Sequence, residues 1–369
     1  MLLDNEYAPD RRVEFEARLL RGEGIRVRIV AWDRRPGRAG ECVVSEVDDV
    51  EVVRLRMPAP RGGGWRSLVA MVRFARAVWA DHRRLFADSD ALIIHDIYVL
   101  PLGWLLSRRL RLPFVYDAHE EYARMEAGRY PAAFLRVATR AEDALARSAC
   151  AVLVPGLSRT GRWTAAGFDR PLVLRNTGVA RMVSDDRAPA QWDLVHAGTL
   201  SGVRRLDIVL ELARARPDLK IAICGRGKSQ DDVAAAASEL PNVDFLGWQT
   251  EVERVLAQSR AIYYGLDPHH PDAETACPNT LYQGLLHEKP LIYFCTGEIE
   301  EVAQQYRIGI RSSPSAEAVA RAVDAIKRGD IRWDFRPARD AVLSDDGRDA
   351  FLAAMRAVLA DGTSPPNRR

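Results

Sequence analysis

The chain has 369 residues, a length typical of two α/β domains or of one large domain. Hydrophobic residues make up 47% and charged residues 28% of the chain, which excludes a disordered protein, a collagen-like protein and a small disulfide-stapled scaffold. The formal net charge of +2 does not favour a nucleic-acid-binding protein.

The N-terminal residues do not resemble a signal peptide, because Asp4 and Glu6 interrupt the apolar start at once. No uncharged apolar run reaches the ~18–20 residues that a membrane-spanning helix needs. The five cysteines form no Cys-x-x-Cys pair, which is typical of reduced thiols. These features predict a cytoplasmic protein.

Apolar and amphipathic segments alternate along the chain and predict an α/β fold built on parallel sheets. In the first half the predicted elements, in chain order, are strands at 25–32 and 50–56, a helix at 65–86, a strand at 91–97, a helix after Pro101, a strand at 113–116, a helix at 131–148 and a strand at 151–155. A first strand is expected before Asn5 and only residues 1–3 are left to supply it, so either this strand is very short or the given start is late. In the second half they are strands at 192–197, 219–224, 243–246, 261–264 and 290–294, which alternate with helices at 203–215, 230–239, 250–258, 279–287 and 298–306, and a last helix at 347–361. The polar, aperiodic segment 176–192 between the halves predicts an interdomain linker.

Three loops follow predicted strands at the edge where open α/β sheets bind ligands. The first carries Asp117 and His119, and an imidazole beside carboxylates serves as an acid, a base or a hydrogen-bond donor near neutral pH. The second, 198–205, combines glycine with arginine and favours phosphate, although the P-loop pattern is absent. The third, 274–283, places Asn279 as the N-cap of a helix whose first turn favours an anion. For each loop a purely structural role stays open.

Seven short motifs are spread over most of the chain. They are Asp10-Arg-Arg12-Val13 with Gly24-Ile-Arg-Val, Asp96-(x)4-Pro101, Tyr116-Asp-Ala-His119-Glu120, Gly198-Thr-Leu with Arg204-Arg-Leu-Asp207, Ile221-Ala-Ile-Cys-Gly225-Arg-Gly227, Asn242-Val-Asp-Phe-Leu-Gly247, and Cys277-Pro278-Asn279-Thr280-Leu281-Tyr282-Gln283 with Glu288-Lys-Pro290. No single motif is specific. In this order, however, they resemble a GT-B glycosyltransferase of the family-4 type.

The resemblance implies two Rossmann-like domains that face a cleft, an acceptor domain at 1–178 and a nucleotide-sugar donor domain at 190–345. A C-terminal helix within 346–362 would cross back to the first domain. It also implies an enzyme that transfers a sugar from a UDP- or GDP-linked donor to a hydroxyl of a glycan, a lipid-linked or a small-molecule acceptor, with retention at the anomeric carbon. No cofactor and no metal ion are required by this scheme.

The resemblance further implies roles for individual residues, with His119 beside the donor sugar and Arg204 on the donor diphosphate as the catalytic pair. The remaining donor-binding residues are Gly198, Thr199, Arg205, Gly225, Gly247, Trp248, Glu274, Pro278, Asn279, Thr280, Leu281 and Gln283. Of these, Pro278, Asn279 and Thr280 would cradle the diphosphate at a helix N-terminus. Gly247 and Trp248 would lie near the base, and Gly225 would leave room for the nucleotide.

Two departures from the family pattern bear on the donor site. Gln283 stands where the family usually has a glutamate for the ribose hydroxyls, and Thr280 stands where many relatives have lysine. The phosphate site therefore holds less charge, and Arg205 or Arg226 is the expected compensation. These departures keep open a non-catalytic scaffold of a glycan or envelope assembly complex. A nucleotide-sugar 2-epimerase, which shares the two-domain architecture, is the second alternative.

The predicted helix at 65–86 has a basic face. Its arginines are Arg66, Arg73, Arg76, Arg83 and Arg84. One interpretation is a surface helix that packs on the first sheet. The other is a basic surface that meets anionic lipid headgroups, which would bring a cytoplasmic enzyme into peripheral contact with the inner membrane face.

Overall fold

Two sheets organise the part of the chain that the computed structural model describes, residues 1–7, 10–59, 65–128, 130–179 and 189–360. Met1–Arg175 and the chain from Gly347 onward form unit 1, and Asn176–Asp346 form unit 2. Each unit has a largely parallel sheet with helices packed on it, so the predicted α/β class with two Rossmann-like halves is confirmed. Within the described residues, no helix is both long and apolar enough to cross a bilayer.

Unit 1 contains the larger sheet. Its strands are β1 (Leu2–Leu3), β2 (Arg28–Asp33), β3 (Cys42–Val47), β4 (Val50–Arg56), β5 (Leu92–His95), β6 (Phe114–Asp117), β7 (Ala151–Val154) and β8 (Leu172–Val173). Its helices up to β8 are α1 (Arg11–Gly22), α2 (Trp65–Ala80), α3 (His82–Phe86), α4 (Leu100–Leu110), α5 (Tyr122–Met125), α6 (Ala132–Ala146) and α7 (Thr160–Ala165). The described strands stand in the order β3-β4-β2-β1-β5-β6-β7-β8, and only the β3–β4 pair is antiparallel.

The first strand is very short, yet it occupies the middle of this sheet. Leu2 and Leu3 are fully buried, and β1 pairs in parallel with both β2 and β5, so the predicted strand at 1–3 is confirmed. The predicted helix at 65–86 is instead two helices, α2 and α3, which are separated at Asp81, a poor helix former.

Strand β3 was not predicted from the sequence. It is an exposed edge strand, joined to β4 by Asp48 and Asp49 at φ of 47° and 56°. Two turn residues at positive φ form the type I′ hairpin turn, which accepts few residues other than Gly, Asn and Asp. The Asp-Asp pair was therefore the available signal for this hairpin.

Both faces of the unit 1 sheet are covered by helices. On one face, α2 contributes Phe74 and Val78 to the core, α4 contributes Leu102 and Leu106, and α6 contributes Ala146. On the other face the core is completed by helix α1. This two-sided cover explains why the central strands are continuous apolar runs.

Unit 2 is entirely parallel within the described residues. Its strands are β9 (Leu194–Thr199), β10 (Ile221–Arg226), β11 (Val243–Gly247), β12 (Ile262–Tyr264), β13 (Leu291–Tyr293) and β14 (Gly309–Arg311), in the order β11-β10-β9-β12-β13-β14. Its helices are α8 (Leu206–Ala215), α9 (Gln230–Ser238), α10 (Val252–Ala257), α11 (Asn279–Leu286), α12 (Glu298–Tyr306), α13 (Ala316–Arg328) and α14 (Arg336–Leu343). The strand order reverses between β9 and β12, and open α/β sheets bind ligands at the carboxyl ends of strands beside such a switch point.

The last elements of unit 2, β14, α13 and α14, were also not predicted. Helix α13 nevertheless carries clear signals at both ends. The hydroxyl of Ser315 accepts a hydrogen bond from the amide of Ala318 at 3.3 Å, and the helix ends before Gly329 at φ 71°. A serine N-cap and a glycine in the left-handed region are standard helix boundaries.

The final helix, α15 (Arg348–Ala360), belongs to unit 1, where Phe351, Met355 and Val358 join the core on the α1 face. The chain returns through Gly347 at φ 86°, where a Cβ would lie 1.8 Å from the carbonyl oxygen of Val173. Only glycine fits this close approach. Of the predicted linker 176–192, residues 180–188 lie outside the described ranges.

Candidate active site

The predicted donor-binding glycines lie together at the carboxyl edge of the unit 2 sheet. Gly198 of β9 pairs with Gly225 of β10, and Gly247 ends β11 opposite Cys224. A Cβ on Gly225 would lie 1.7 Å from the carbonyl oxygen of Gly198, so close backbone packing already requires glycine there. That Gly225 also leaves room for a nucleotide stays a prediction.

Arg204 follows β9 in a tight turn and is half-buried. Its guanidinium carbon lies 4.8 Å from the ring centre of Tyr264, the last residue of β12, which places the charge at the switch point of the sheet. Its Nη1 is buried and has no hydrogen-bond partner among the described residues. Burial lowers the pKa of Arg204, but the neighbouring Tyr264 outweighs it and the net direction is upward. A buried charged donor without a hydrogen-bond partner costs free energy, and an anionic acceptor that bonds to it would recover this cost.

The two arginines expected to strengthen the phosphate site make other contacts. Nε and Nη2 of Arg205 donate to the carboxylate of Asp207, at 3.1 Å and 2.9 Å. Arg226 lies over the half-exposed ring of Trp248, with its guanidinium carbon 4.3 Å from the ring centre. Their contribution to donor binding stays a prediction, and it would require these contacts to be given up or shared.

Helix α11 begins within the predicted phosphate cradle. Its N-cap is Pro278, and Asn279 is the first helical residue, so the predicted N-cap role of Asn279 is wrong by one position. The side-chain oxygen of Asn279 instead accepts a hydrogen bond from Nδ2 of Asn176 at 3.0 Å. Because proline has no side-chain acceptor, it cannot cap the N–H groups of the first turn. The positive end of the helix dipole adds to this attraction for an anion.

The remaining predicted donor residues differ in exposure. Thr280, Leu281 and Gln283 are buried on α11, whereas Thr199 is exposed at the end of β9. Glu274 is exposed in the turn that precedes α11. The structure thus brings the α11 residues onto one helix start, while Glu274 stays at the surface.

In unit 1, His119 belongs to a buried network centred on Asp117. Nε and Nη2 of Arg12 donate to the two oxygens of Asp117 at 2.8 Å and 2.6 Å, and Nη1 of Arg12 donates to the carbonyl of Leu174 at 2.7 Å. Nε2 of His119 and Nδ1 of His95 also lie within 2.6 Å and 3.1 Å of Asp117. Burial raises the pKa of Asp117, but the charges of Arg12 and His119 outweigh it and hold the pKa well below its usual value.

Both ring nitrogens of His119 face carboxylates, because Nδ1 lies 3.3 Å from Oδ2 of Asp96. Burial lowers the pKa of His119, but Asp117 and Asp96 outweigh it, and the pKa lies well above its usual value. Burial raises the pKa of Asp96 to about 7. Asp96 follows β5 at φ 68°, an uncommon backbone conformation for a residue with a side chain. The contacts of both ring nitrogens with carboxyl groups therefore favour the protonated form of His119.

The network also contains a set of metal-ligand types. Glu16, His95, Asp117 and His119 each offer an atom within 4.8 Å of the others. The guanidinium of Arg12 already bonds both oxygens of Asp117 and lies 3.4 Å from Glu16. Burial raises the pKa of Glu16 well above its usual range. Arg12 thus places a positive charge against both carboxyl groups of this cluster.

Sequence reasoning assigned no role to Arg12, Glu16, His95 or Asp96. Arg12 and Asp96 stand in the motifs that carried the family resemblance, and this was the available signal. Glu16 and His95 carried none, because a single polar residue in an apolar segment does not indicate its partner.

Family models match both halves of the chain. Residues 9–177 match the model described as a glycosyl transferase 4-like domain, and residues 193–328 match the model of glycosyl transferases group 1. The chain belongs to the GT-B glycosyltransferases of the family-4 type. The resemblance inferred from the seven motifs is confirmed, and the switch-point sites described above lie within the matched segments of this glycosyltransferase.

Solved structures of other glycosyltransferases share the fold. HepE from Anabaena in complex with UDP-glucose has 15% identity and a TM-score of 0.67 over 98% of both chains. Sucrose-phosphate synthase from Thermosynechococcus elongatus has 15% identity and a TM-score of 0.65 over 98% of this chain and 96% of its own. The α,α-trehalose 6-phosphate synthase from Burkholderia multivorans has 11% identity and a TM-score of 0.62, over 98% and 99%. No curated protein sequence matches the sequence of this chain.

His196 of β9, which lies close enough to Arg204 to feel its charge, provides a test of acid stability. Burial, and then the charge of Arg204, lower its pKa to about 4, against 6.5 for a free imidazole. Below pH 6.5 the imidazole of His196 binds a proton in the unfolded chain but not in the folded chain. The free energy of unfolding therefore falls as the pH falls from 6.5 towards 4. In a His196→Leu variant we expect the loss of unfolding free energy between about pH 7.5 and pH 4.5 to shrink by about 2–3 kcal/mol.

Urea unfolding at the two pH values measures this difference. The exposed His269→Leu variant is the control, because it removes an imidazole from the surface of the same unit. An equal loss in the His196→Leu variant and in the unmodified chain would contradict the assignment.

Proposed function

We propose that this glycosyltransferase moves a sugar from a UDP- or GDP-linked donor to a hydroxyl of a glycan, a lipid-linked or a small-molecule acceptor, with retention at the anomeric carbon. Membership of the family supports sugar transfer. The observation that carries the donor assignment is Arg204, a half-buried cation whose buried Nη1 has no partner among the described residues. It is placed at the switch point of the unit 2 sheet, where an anionic ligand would complete its hydrogen bonds.

The proposed reaction replaces one C–O bond at the anomeric carbon with another. The C1–O bond to the diphosphate breaks, and the acceptor oxygen forms a new C1–O bond on the same face of the sugar. The acceptor proton passes to the leaving phosphate oxygen. Negative charge grows on the diphosphate as the bond breaks, and Arg204 with the uncapped start of α11 would stabilise it. Because these groups supply positive charge, the scheme needs no metal ion.

His119 would position the donor sugar or the incoming hydroxyl. Its Nδ1 bond to Asp96 is the longer of its two carboxylate contacts, at 3.3 Å against 2.6 Å to Asp117. A substrate oxygen would therefore compete for Nδ1, while Asp117 keeps the ring oriented through Nε2. His119 would thus orient the substrate, whereas Arg204 and the start of α11 would stabilise the charge that develops on the diphosphate.

Thermal stabilisation by nucleotides tests the donor assignment. A ligand that binds only the folded chain stabilises it by ~2.7 kcal/mol at a hundredfold excess over Kd. We expect a clear rise in Tm with one of UDP, GDP or ADP and its sugar conjugates. UDP comes first, because HepE is described in complex with UDP and with UDP-glucose. The same rise in magnesium and in EDTA is expected from a site built on Arg204, whereas a rise that EDTA abolishes would contradict the metal-free scheme.

The two alternatives give different results in the same experiment. A non-catalytic scaffold, motivated by Gln283 and Thr280, predicts no stabilisation by any nucleotide sugar at millimolar concentration. A 2-epimerase predicts binding, and then an epimerised sugar when the donor is incubated without an acceptor. A transferase predicts only slow hydrolysis under those conditions.

We also propose that the reaction takes place in the cytoplasm. Cys42, Cys224 and Cys295 form no disulfide, and Cys42 is exposed. An exposed thiol of this kind suits a reducing compartment.

A further inference from the structure

Three neighbouring helices form the outer layer on one face of the unit 1 sheet. Helix α4 contacts both α2 and α6, and all three send side chains into the same core. Their opposite sides face away from the sheet and form one continuous surface. This surface extends the basic helix at 65–86 that the sequence indicated, to which Arg108, Arg109 and Arg111 were expected to add charge, by the exposed side of α6.

The outward sides of these helices carry large apolar residues. They are Val69, Val72, Trp79, Leu105, Phe134 and Val137. Phe134 is 50% and Val137 is 63% exposed, although both lie on the same helix as the buried Leu135 and Ala146. Apolar residues that recur on the exposed sides of adjacent helices indicate an interaction surface, whereas scattered ones do not.

Arginines alternate with these apolar residues. The exposed ones are Arg73, Arg76, Arg108, Arg109, Arg136 and Arg140. Helices α2 and α4 contain no acidic residue, and the two in α6, Glu142 and Asp143, are both ion-paired with Arg162. We call the exposed side of α2, α4 and α6 the arginine face. Its exposed charge is of one sign, because the two acidic residues of these helices, Glu142 and Asp143, are already paired with Arg162.

We propose that the arginine face docks peripherally on a bilayer that contains anionic lipids. This inference deepens the acceptor part of the proposed function, because it would bring unit 1 to a lipid-linked hydroxyl. Guanidinium groups bond lipid phosphates, while Trp79, Phe134 and Val137 enter the boundary between headgroups and acyl chains. A nucleic acid would bind the arginines but would leave these apolar side chains exposed to water. A second copy of the same face would be repelled by its charge.

Vesicle co-sedimentation tests the proposal with the full chain. We expect binding to phosphatidylcholine vesicles that contain phosphatidylglycerol, weaker binding at high salt, and little binding to phosphatidylcholine alone. Arg136→Glu/Arg140→Glu should weaken binding at least about tenfold. Phe134→Ser/Val137→Ser should also weaken it, with no change in charge.

Matched variants in unit 2 and at the sheet edge control for charge and polarity. Arg214→Glu/Arg321→Glu makes the same charge change on exposed helix positions of unit 2, and Val43→Ser/Val44→Ser makes the same polarity change on β3. Both should bind vesicles as the unmodified chain does. Equal losses in test and control variants would overturn the proposal, as would no vesicle binding, or binding of a single-stranded RNA probe that the same Arg→Glu pair abolishes while vesicles do not bind.

The nucleotide-dependent rise in Tm is measured on the same samples. If vesicle binding fails while that rise persists, the arginine face is wrongly assigned and the proposed function stands. If the rise is absent and vesicle binding persists, the donor assignment fails and the docking surface stands.

Discussion

Replacing Arg204 with alanine is expected to lower kcat about 10²–10³-fold and to leave the fold intact. The guanidinium is placed at the switch point by its contact with the ring of Tyr264, and its buried Nη1 awaits an acceptor. A preorganised donor of this kind acts mainly on the charge that develops in the transition state, so its loss lowers kcat by this amount. Steady-state kinetics with the donor identified by thermal stabilisation measures the effect.

Arg214→Ala is the matched control, because it removes an exposed arginine from α8 of the same unit. It should keep full activity. Arg204→Lys should recover part of the rate, since an ammonium keeps the charge but loses the planar guanidinium geometry. Unchanged turnover in Arg204→Ala would rule out its proposed role.

Replacing Asp117 with alanine is expected to lower the free energy of unfolding by about 3–5 kcal/mol. Asp117 is fully buried and accepts two short hydrogen bonds from Arg12 and one from His119. Without it, the buried guanidinium of Arg12 loses the carboxylate that accepts two of its hydrogen bonds, and desolvation of that charge is the dominant cost. Urea unfolding at neutral pH measures the loss.

A surface pair offers the contrast. Asp207→Ala breaks an equally regular Arg–Asp contact, but Asp207 is exposed and the cost should be at most about 1 kcal/mol. In the double variant Arg12→Ala/Asp117→Ala the loss should be smaller than the sum of the two single losses, because Arg12 and Asp117 are removed together and neither is left without the other. Additive losses, or equal costs at Asp117 and Asp207, would contradict the buried-pair interpretation.

The fold was predicted from the sequence where burial is continuous. Strands buried on both faces, such as β6 and β10, are apolar runs that need no knowledge of their neighbours. Strand β3 was missed because it is an exposed edge, where apolar periodicity is weak and only the turn chemistry of Asp48 and Asp49 indicates a hairpin. Helix α13 had both end signals, at Ser315 and Gly329, and was missed although they were readable.

The loops that carry the candidate site could be predicted from the sequence, but the partners of their side chains could not. The positions of His119, Arg204 and Pro278 at strand and helix ends follow from local patterns. The partners of Asp117 do not, because Arg12 lies 105 residues away along the chain and meets it only through the parallel sheet. The engagement of Arg226 by Trp248 is likewise a tertiary contact, and no spacing rule indicates it.

The return of the chain to unit 1 through Gly347 has a consequence for synthesis on the ribosome. Unit 1 begins first, but about 170 residues of unit 2 are made before α15 emerges. At ~5–20 residues per second this interval lasts about 10–30 s. Throughout it, the α1 face of the first sheet lacks Phe351, Met355 and Val358 and exposes the apolar surface that they later cover. The unit that is begun first is therefore completed last.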